Sequence, residues 1–196
     1  MRGRVGVFID RDGTLNEEVG YVNHPDRLRL LPRSAEAVRL LNEAGLAAVL
    51  VTNQSGVARG YFPEKLVQAL NAKVERFLAA EGARLDAIYY CPHHPEVGPP
   101  EYRIDCDCRK PRTGMLDRGA RELGLDLGRS YMVGDSLRDV ECAQNAGALA
   151  ILVLTGYGKG ELEYHPKRDR VIPDHTAADL LDAAAWIVAR ERAKEN

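Results

Sequence analysis

Short apolar runs that stop abruptly at a polar residue recur along this chain, and between them apolar residues fall at helical spacing. Residues 5–9, Val-Gly-Val-Phe-Ile, are too few for a helix and end at Asp10, which predicts a buried strand. Residues 47–52 form a second, β-branched-rich strand ending at Thr52, and residues 130–134 another ending before Asp135. Residues 87–90 and 149–154 supply two more. Helices are predicted over 34–44, with Ser34 as N-cap and Gly45 as stop, and over 63–82, opened by Pro63 with Leu66, Leu70, Val74 and Phe77 as its apolar stripe. Further helices are predicted over 113–123, ended by Gly124, over 136–146, capped by Ser136, and over 176–192. Such alternation requires crossovers between parallel strands. The expected fold class is α/β, a three-layer Rossmann-like parallel sheet with helices on both faces. Residues 1–196 are expected to form a single domain, with no segment long enough for a large cap domain.

In sheets of this kind ligands bind outside the carboxyl ends of the strands, near the point where strand order reverses. Asp10, Thr52 and Asp135 all follow strand ends. Asp10-Arg11-Asp12-Gly13 places two carboxylates two residues apart, so one can attack phosphorus while the other handles protons at the leaving oxygen. An Asp-Gly pair alone is most often a solvated turn. Asp139 carries two readings, since Ser136-x-x-Asp139 is a capping box by itself.

The net charge of −2 offers no strong positive field for nucleic acid or an anionic membrane, and no apolar run is long enough to span a bilayer. The cytoplasm is the expected compartment, the expected partner is a small molecule, and a monomer is expected. Three of the four cysteines, Cys91, Cys106 and Cys108, lie within 18 positions, next to His93 and His94. A loop of that length needs a reason to exist inside a compact domain. A closed Cys₃His tetrahedral zinc site would supply one, making 91–108 a zinc-binding loop insertion. A Cys91–Cys106 disulfide or free thiols are the alternatives, and spacing does not choose between His93 and His94. Cys142 reads as a small buried apolar residue.

Taken together, these motifs resemble the haloacid dehalogenase-like hydrolases. Asp10-x-Asp12-Gly13-Thr14-Leu15 matches their first motif, Thr52 the second, Lys110 the third, and Gly134-Asp135 with Asp139 the fourth. The resemblance covers nearly the whole chain. It implies a magnesium-dependent phosphatase with catalytic Asp10, Asp12, Thr52 and Lys110. Mg²⁺ would be held by Asp10, Asp135 and the backbone carbonyl of Asp12. Cys91-Pro92-His93 followed by Cys106-x-Cys108-Arg109-Lys110-Pro111 is similar to the subgroup that contains heptose 1,7-bisphosphate and histidinol-phosphate phosphatases, and favours His93 as the fourth zinc ligand. The long His93–Cys106 gap, the 52–60 segment and Gly20-Tyr21-Val22-Asn23 resemble the heptose type. By that resemblance Glu18, Val19, Gly20, Tyr21, Asn53, Gln54, Ser55, Arg109 and Ser136 would contact a sugar bisphosphate; independently of it, a second phosphate needs its own donors, which Arg109 or Arg59 could provide. Relatives can carry a lysine directly after the motif-four aspartate, and here that position is Ser136.

Three rival readings fit less of this pattern. A DNA-end phosphatase needs a basic groove. A non-catalytic zinc module does not need Asp10, Asp12, Thr52, Lys110 and Asp135 together. A phosphotransferase shares the aspartyl-phosphate but uses a sizeable cap to exclude water.

Overall fold

The alternation resolves into six parallel strands in the order β3-β2-β1-β4-β5-β6. In the computed structural model, which describes residues 3–195, β1 is Gly6–Ile9, β2 Ala47–Asn53 and β3 Ala87–Cys91. Tyr131–Gly134, Leu149–Val153 and His175–Ala177 form β4, β5 and β6. The helices are α1 Ser34–Glu43, α2 Glu64–Ala80, α3 Gly114–Leu123, α4 Leu137–Ala146, α5 Gly158–Tyr164 and α6 Leu180–Glu195. Met1, Arg2 and Asn196, which belong to the expected 1–196 domain, lie outside the described residues.

The central strands are buried on both faces, which is why they read as unbroken apolar runs. On one side Val7 and Ile9 pack with Val38 and Leu41 of α1, Leu70 and Val74 of α2 and Ile187 of α6. On the other, Phe8 packs with Met115 and Leu116 of α3 and Val140 and Ala143 of α4. These are the three layers the sequence predicts. From β1 the chain winds outward through β2 to β3, returns to β4 beside β1, and winds outward the other way. The reversal therefore falls between the carboxyl ends of β1 and β4, where Ile9 pairs with Val133. The Asp10 N–H donates to the Val133 carbonyl at 2.9 Å, fixing the first residue past the sheet.

Four local expectations are corrected. The helix expected over 176–192 starts later, because Thr176 and Ala177 pair with Leu152 and Val153 as an edge strand. The short α5 has no counterpart in the sequence reading, since Gly158 and Gly160 hide its helical character. Ser34 is the first helical residue of α1 and not its N-cap: Arg33 precedes it at φ 64°, and the buried Ser34 hydroxyl has no partner among the described residues. In α2 the buried stripe is Val67, Leu70, Val74 and Leu78, while Phe77 faces outward beneath the Lys73 ammonium, 5.2 Å from its ring centroid.

Phe8 fills the second face of the central strand and is wholly buried. We expect Phe8→Ala to lower unfolding free energy by about 3–5 kcal/mol in denaturant titration. A loss below about 1 kcal/mol would mean that this face is not close-packed.

Candidate active site

The carboxyl ends of β1, β2 and β4 bring the conspicuous polar residues into one cavity of about 180 Å³. At its floor Lys110, buried beneath the sheet end, places its Nζ 2.8 Å from Asp10 Oδ1 and 2.6 Å from Asp139 Oδ1 and donates to the Val51 carbonyl at 3.0 Å. The lysine stays charged. Burial works against its ammonium, but Asp10 and Asp139 outweigh that and raise its pKa. The lysine is held by its own backbone as well: Asn53 Nδ2 donates to the Lys110 carbonyl and Asn53 Oδ1 accepts the Lys110 N–H, both at 3.1 Å.

Asp139 meets both of its readings at once. Its Oδ1 pairs with Lys110, while its Oδ2 accepts the Ser136 hydroxyl at 2.7 Å and the Ser136 N–H at 3.2 Å. With both oxygens engaged, it fastens the start of α4 to the lysine.

Asp10, Asp135 and Asp139 can bring one oxygen each within 4.8 Å of one another. One lysine cannot neutralise three acids. Burial raises the Asp10 carboxyl above the usual range despite Lys110, and burial followed by repulsion from Asp10 and Asp139 raises that of Asp135. Asp10 Oδ1 also accepts the Arg11 N–H, and Asp135 Oδ2 accepts the Tyr157 N–H, each at 2.8 Å. Among the described residues the remaining oxygen of each acid has no hydrogen-bond donor. A surplus of buried negative charge with free carboxylate oxygens suits a hard divalent cation such as magnesium.

Asp135 is closely confined. A Cβ at Gly13 or at Gly156 would overlap its Oδ2, and both glycines sit at positive φ (83° and 53°). The Thr155 hydroxyl donates to the Gly13 carbonyl at 2.6 Å, tying the loop after β5 to the loop after β1.

Asp12 sits in a different setting. Fully buried Arg11 donates to it from Nε at 3.2 Å and from Nη2 at 3.1 and 2.9 Å. Asn16 Nδ2 adds a donor at 2.9 Å and Gln54 Nε2 another at 2.7 Å. Although desolvation opposes it, the Arg11 charge and these donors hold the Asp12 carboxyl below its ordinary range. Both side-chain oxygens of Asp12 are thus taken up by donors from Arg11, Asn16 and Gln54. Gln54 Nε2 also donates to Thr52 Oγ1 at 2.9 Å, leaving the threonine proton free for another acceptor.

Glu18, Gly20, Tyr21, Thr52, Asn53, Ser55, Arg109 and Ser136 line the cavity with these acids. Two expected contacts do not. Val19 packs on the core, and Gln54 turns its amide to Asp12 and Thr52. Arg59 faces His94 Nε2 at 3.0 Å and does not line the cavity. The sequence reading passed over Arg11, Asn16, Arg138 and Tyr157. For Tyr157 a weaker signal existed, because it lies four residues past the carboxyl end of β5.

The rims of the cavity are aromatic. Tyr21 stands edge-on to Tyr61 with centroids 4.8 Å apart, joining the loop after β1 to the loop after β2. Burial raises the Glu18 carboxyl pKa, and its carboxylate accepts the Gly20 N–H.

Beside the cavity Cys91, His93, Cys106 and Cys108 form a second cluster. Cys106 Sγ lies 3.5 Å from Cys91 Sγ and 3.2 Å from Cys108 Sγ, and His93 Nδ1 lies 3.4 Å from Cys108 Sγ and 3.9 Å from Cys91 Sγ. Zinc–ligand bonds of about 2.0–2.3 Å in a tetrahedron give ligand–ligand edges of roughly 3.3–3.8 Å, so the set is compatible with zinc. All four cysteines are free thiols, and no pair approaches the disulfide length of about 2.05 Å. His93 supplies the imidazole, while His94 accepts the Glu96 N–H at 3.1 Å. Cys142 is buried against the Arg112 carbonyl, as its apolar reading implied.

Comparison with known proteins fits this geometry. The HAD-hydrolase-like family model matches residues 107–183. The chain is 47% identical over 194 residues to a D-glycero-D-manno-heptose-1,7-bisphosphate 7-phosphatase of Thermosynechococcus vestitus, covering 94% of this chain and 95% of the relative. It is 45% identical over 151 residues to the Escherichia coli D-glycero-beta-D-manno-heptose-1,7-bisphosphate 7-phosphatase, covering 76% and 79%. The crystal structure of D,D-heptose 1,7-bisphosphate phosphatase from B. bronchiseptica, complexed with magnesium and phosphate, superposes with a TM-score of 0.83 at 36% identity, covering 95% of this chain and 99% of that one. The chain belongs to the D-glycero-D-manno-heptose-1,7-bisphosphate 7-phosphatase family of HAD-like hydrolases, which are phosphoric monoester hydrolases.

Proposed function

We propose that this enzyme removes the C7 phosphate of D-glycero-D-manno-heptose 1,7-bisphosphate, leaving heptose 1-phosphate for nucleotide activation. The observation that carries the reading is the buried Asp10–Lys110–Asp139–Asp135 set, opening into a cavity whose outer wall holds a second cation, Arg109. An anionic reacting centre with a cationic wall suits a substrate carrying two phosphates. The substrate assignment is supported by the 47% identity to an enzyme of that name.

In this mechanism an Asp10 oxygen forms a bond to the C7 phosphorus as the bond from phosphorus to the heptose oxygen breaks. Asp12 passes to that departing oxygen the proton it took from water in the preceding turnover. Water then attacks the aspartyl-phosphate, losing its proton to Asp12, and the phosphorus–Asp10 bond breaks to release phosphate. The Arg11, Asn16 and Gln54 donors favour the ionised form of Asp12, the form that accepts the proton from water. Thr52 donates its free hydroxyl proton to a phosphoryl oxygen, and Lys110 keeps Asp10 aimed while lending positive charge. Mg²⁺ held by Asp10, Asp135 and the Asp12 carbonyl supplies charge neutralisation, letting one anion approach another. Glu18, Gly20, Tyr21, Asn53, Ser55, Arg109 and Ser136 line the space for the sugar and its second phosphate.

Zinc on Cys91, His93, Cys106 and Cys108 plays a structural part: Arg109 and Lys110 follow the last ligand directly, so fixing the loop fixes both cations. The sugar-phosphate substrate makes this a cytoplasmic enzyme, which we take to act as a monomer. The net charge of −2 leaves nothing to draw nucleic acid, and no helix among the described residues is long and apolar enough to cross a membrane.

Three measurements test this reading. Phosphate release from heptose 1,7-bisphosphate should exceed that from histidinol phosphate by at least about a hundredfold in kcat/KM, and Asp10→Asn should abolish it without lowering Tm. Preference for histidinol phosphate would overturn the substrate, and an active Asp10→Asn the nucleophile. Metal analysis of the purified protein should return one zinc per chain, and Cys106→Ser should lower both Tm and turnover; full activity without zinc would remove its structural part. The third test uses pH. Asp10 and Asp135 have pKa values raised by folding, so they favour the folded state while protonated and oppose it as pH climbs through those raised values. Magnesium relieves that cost, so its increment in Tm should be larger at pH 8 than at pH 6. A larger increment at pH 6 would contradict the assignment of these two acids as ligands.

A further inference from the structure

Arg138 is the second residue of α4, exposed on its first turn, and it lines the same cavity as Arg109, Lys110 and Asp135. No hydrogen bond or ion pair engages its guanidinium among the described residues. Two carboxylates on its outer side are already committed. Glu161, which borders the adjoining cavity with Arg138, accepts the Leu137 N–H at 2.7 Å, and Glu141 pairs with Lys167 at 3.0 Å. Arg109 is nearly as free: half-buried, its guanidinium donates among the described residues to the His93 carbonyl alone, at 3.3 Å. Arg109 and Arg138 line the same cavity, so their guanidiniums share one electrostatic neighbourhood. Two mutually repelling guanidiniums with few partners on one wall suit an anion that can accept from both.

We infer that Arg138, together with Arg109, binds the non-transferred phosphate of the substrate and sets the preference for a bisphosphate over a monophosphate. This rests on the sugar-bisphosphate reading and deepens it. Ser136 carries no charge, and its hydroxyl donates to Asp139. Arg138, two residues further on, brings a cation back to the same wall from the helix. A guanidinium there also offers two donors to one phosphate, where an ammonium acts as a point charge.

The test is a ratio: kcat/KM for heptose 1,7-bisphosphate divided by kcat/KM for heptose 7-phosphate. Each value is measured for the full chain, for Arg138→Gln and for Arg138→Lys. The wild-type ratio should lie well above one. Losing a charge-assisted contact should lower it about ten- to a hundredfold in Arg138→Gln, and Arg138→Lys should recover part of the loss. A wild-type ratio near one would remove the bisphosphate reading and this inference with it. A high wild-type ratio that Arg138→Gln leaves in place would overturn the role of Arg138 alone. Because numerator and denominator come from the same preparation, partial unfolding of a variant cancels.

Discussion

A single ammonium group organises the end of this sheet. Lys110 arrives from the loop after the cysteine cluster, yet its Nζ reaches Asp10 after β1, the Val51 carbonyl in β2 and Asp139 in α4. Its backbone is clasped by Asn53 at the end of β2. Four segments remote in sequence thus meet at one buried charge. Removing one partner of such a pair typically costs about 3–5 kcal/mol, because the remaining charge is stranded. The arrangement is stable only when every acid around it finds a cation or a proton. The same condition that holds the fold together therefore prepares the site for a metal ion and an incoming phosphate.

The outline of this fold is legible in the sequence because burial on both faces leaves a strong mark. An apolar run that ends at a polar residue, repeated at β1, β2 and β4, gives the layers and the sheet ends that carry Asp10, Thr52 and Asp135. What escapes is what such patterns cannot encode. Arg11, between two aspartates, looks like a solvated residue, but it is wholly buried with its guanidinium on Asp12 and Asn71. The Asp12 carboxylate and Asn71, carried in by α2, together compensate that burial. The edge strand β6 is three residues long, below the length at which alternation can be recognised. Phe77 was drawn into the apolar stripe of α2 by one position, a shift that a 3.6-residue repeat absorbs unnoticed.

The two candidate metal sites divide the labour by chemistry. The sulfur and imidazole donors form a closed set with no position left over, whereas the carboxylate set keeps free oxygens and faces a cavity. Both are connected through a short stretch of chain, Cys108-Arg109-Lys110. The first site shapes the loop, and the loop delivers two cations to the second.

Gly13 and Gly156 press against Asp135 from two loops that are far apart in sequence. Close packing of this kind has a consequence for how the enzyme can change over time. The wall around that carboxylate is made of absent side chains, so no smaller residue remains to be substituted if the acid were to lengthen to glutamate. Positions 13, 135 and 156 are locked as a trio, each closed to single-step drift by the other two. Variation in substrate preference must instead enter from the outer wall, where Ser136 and Arg138 leave room for charges to be exchanged.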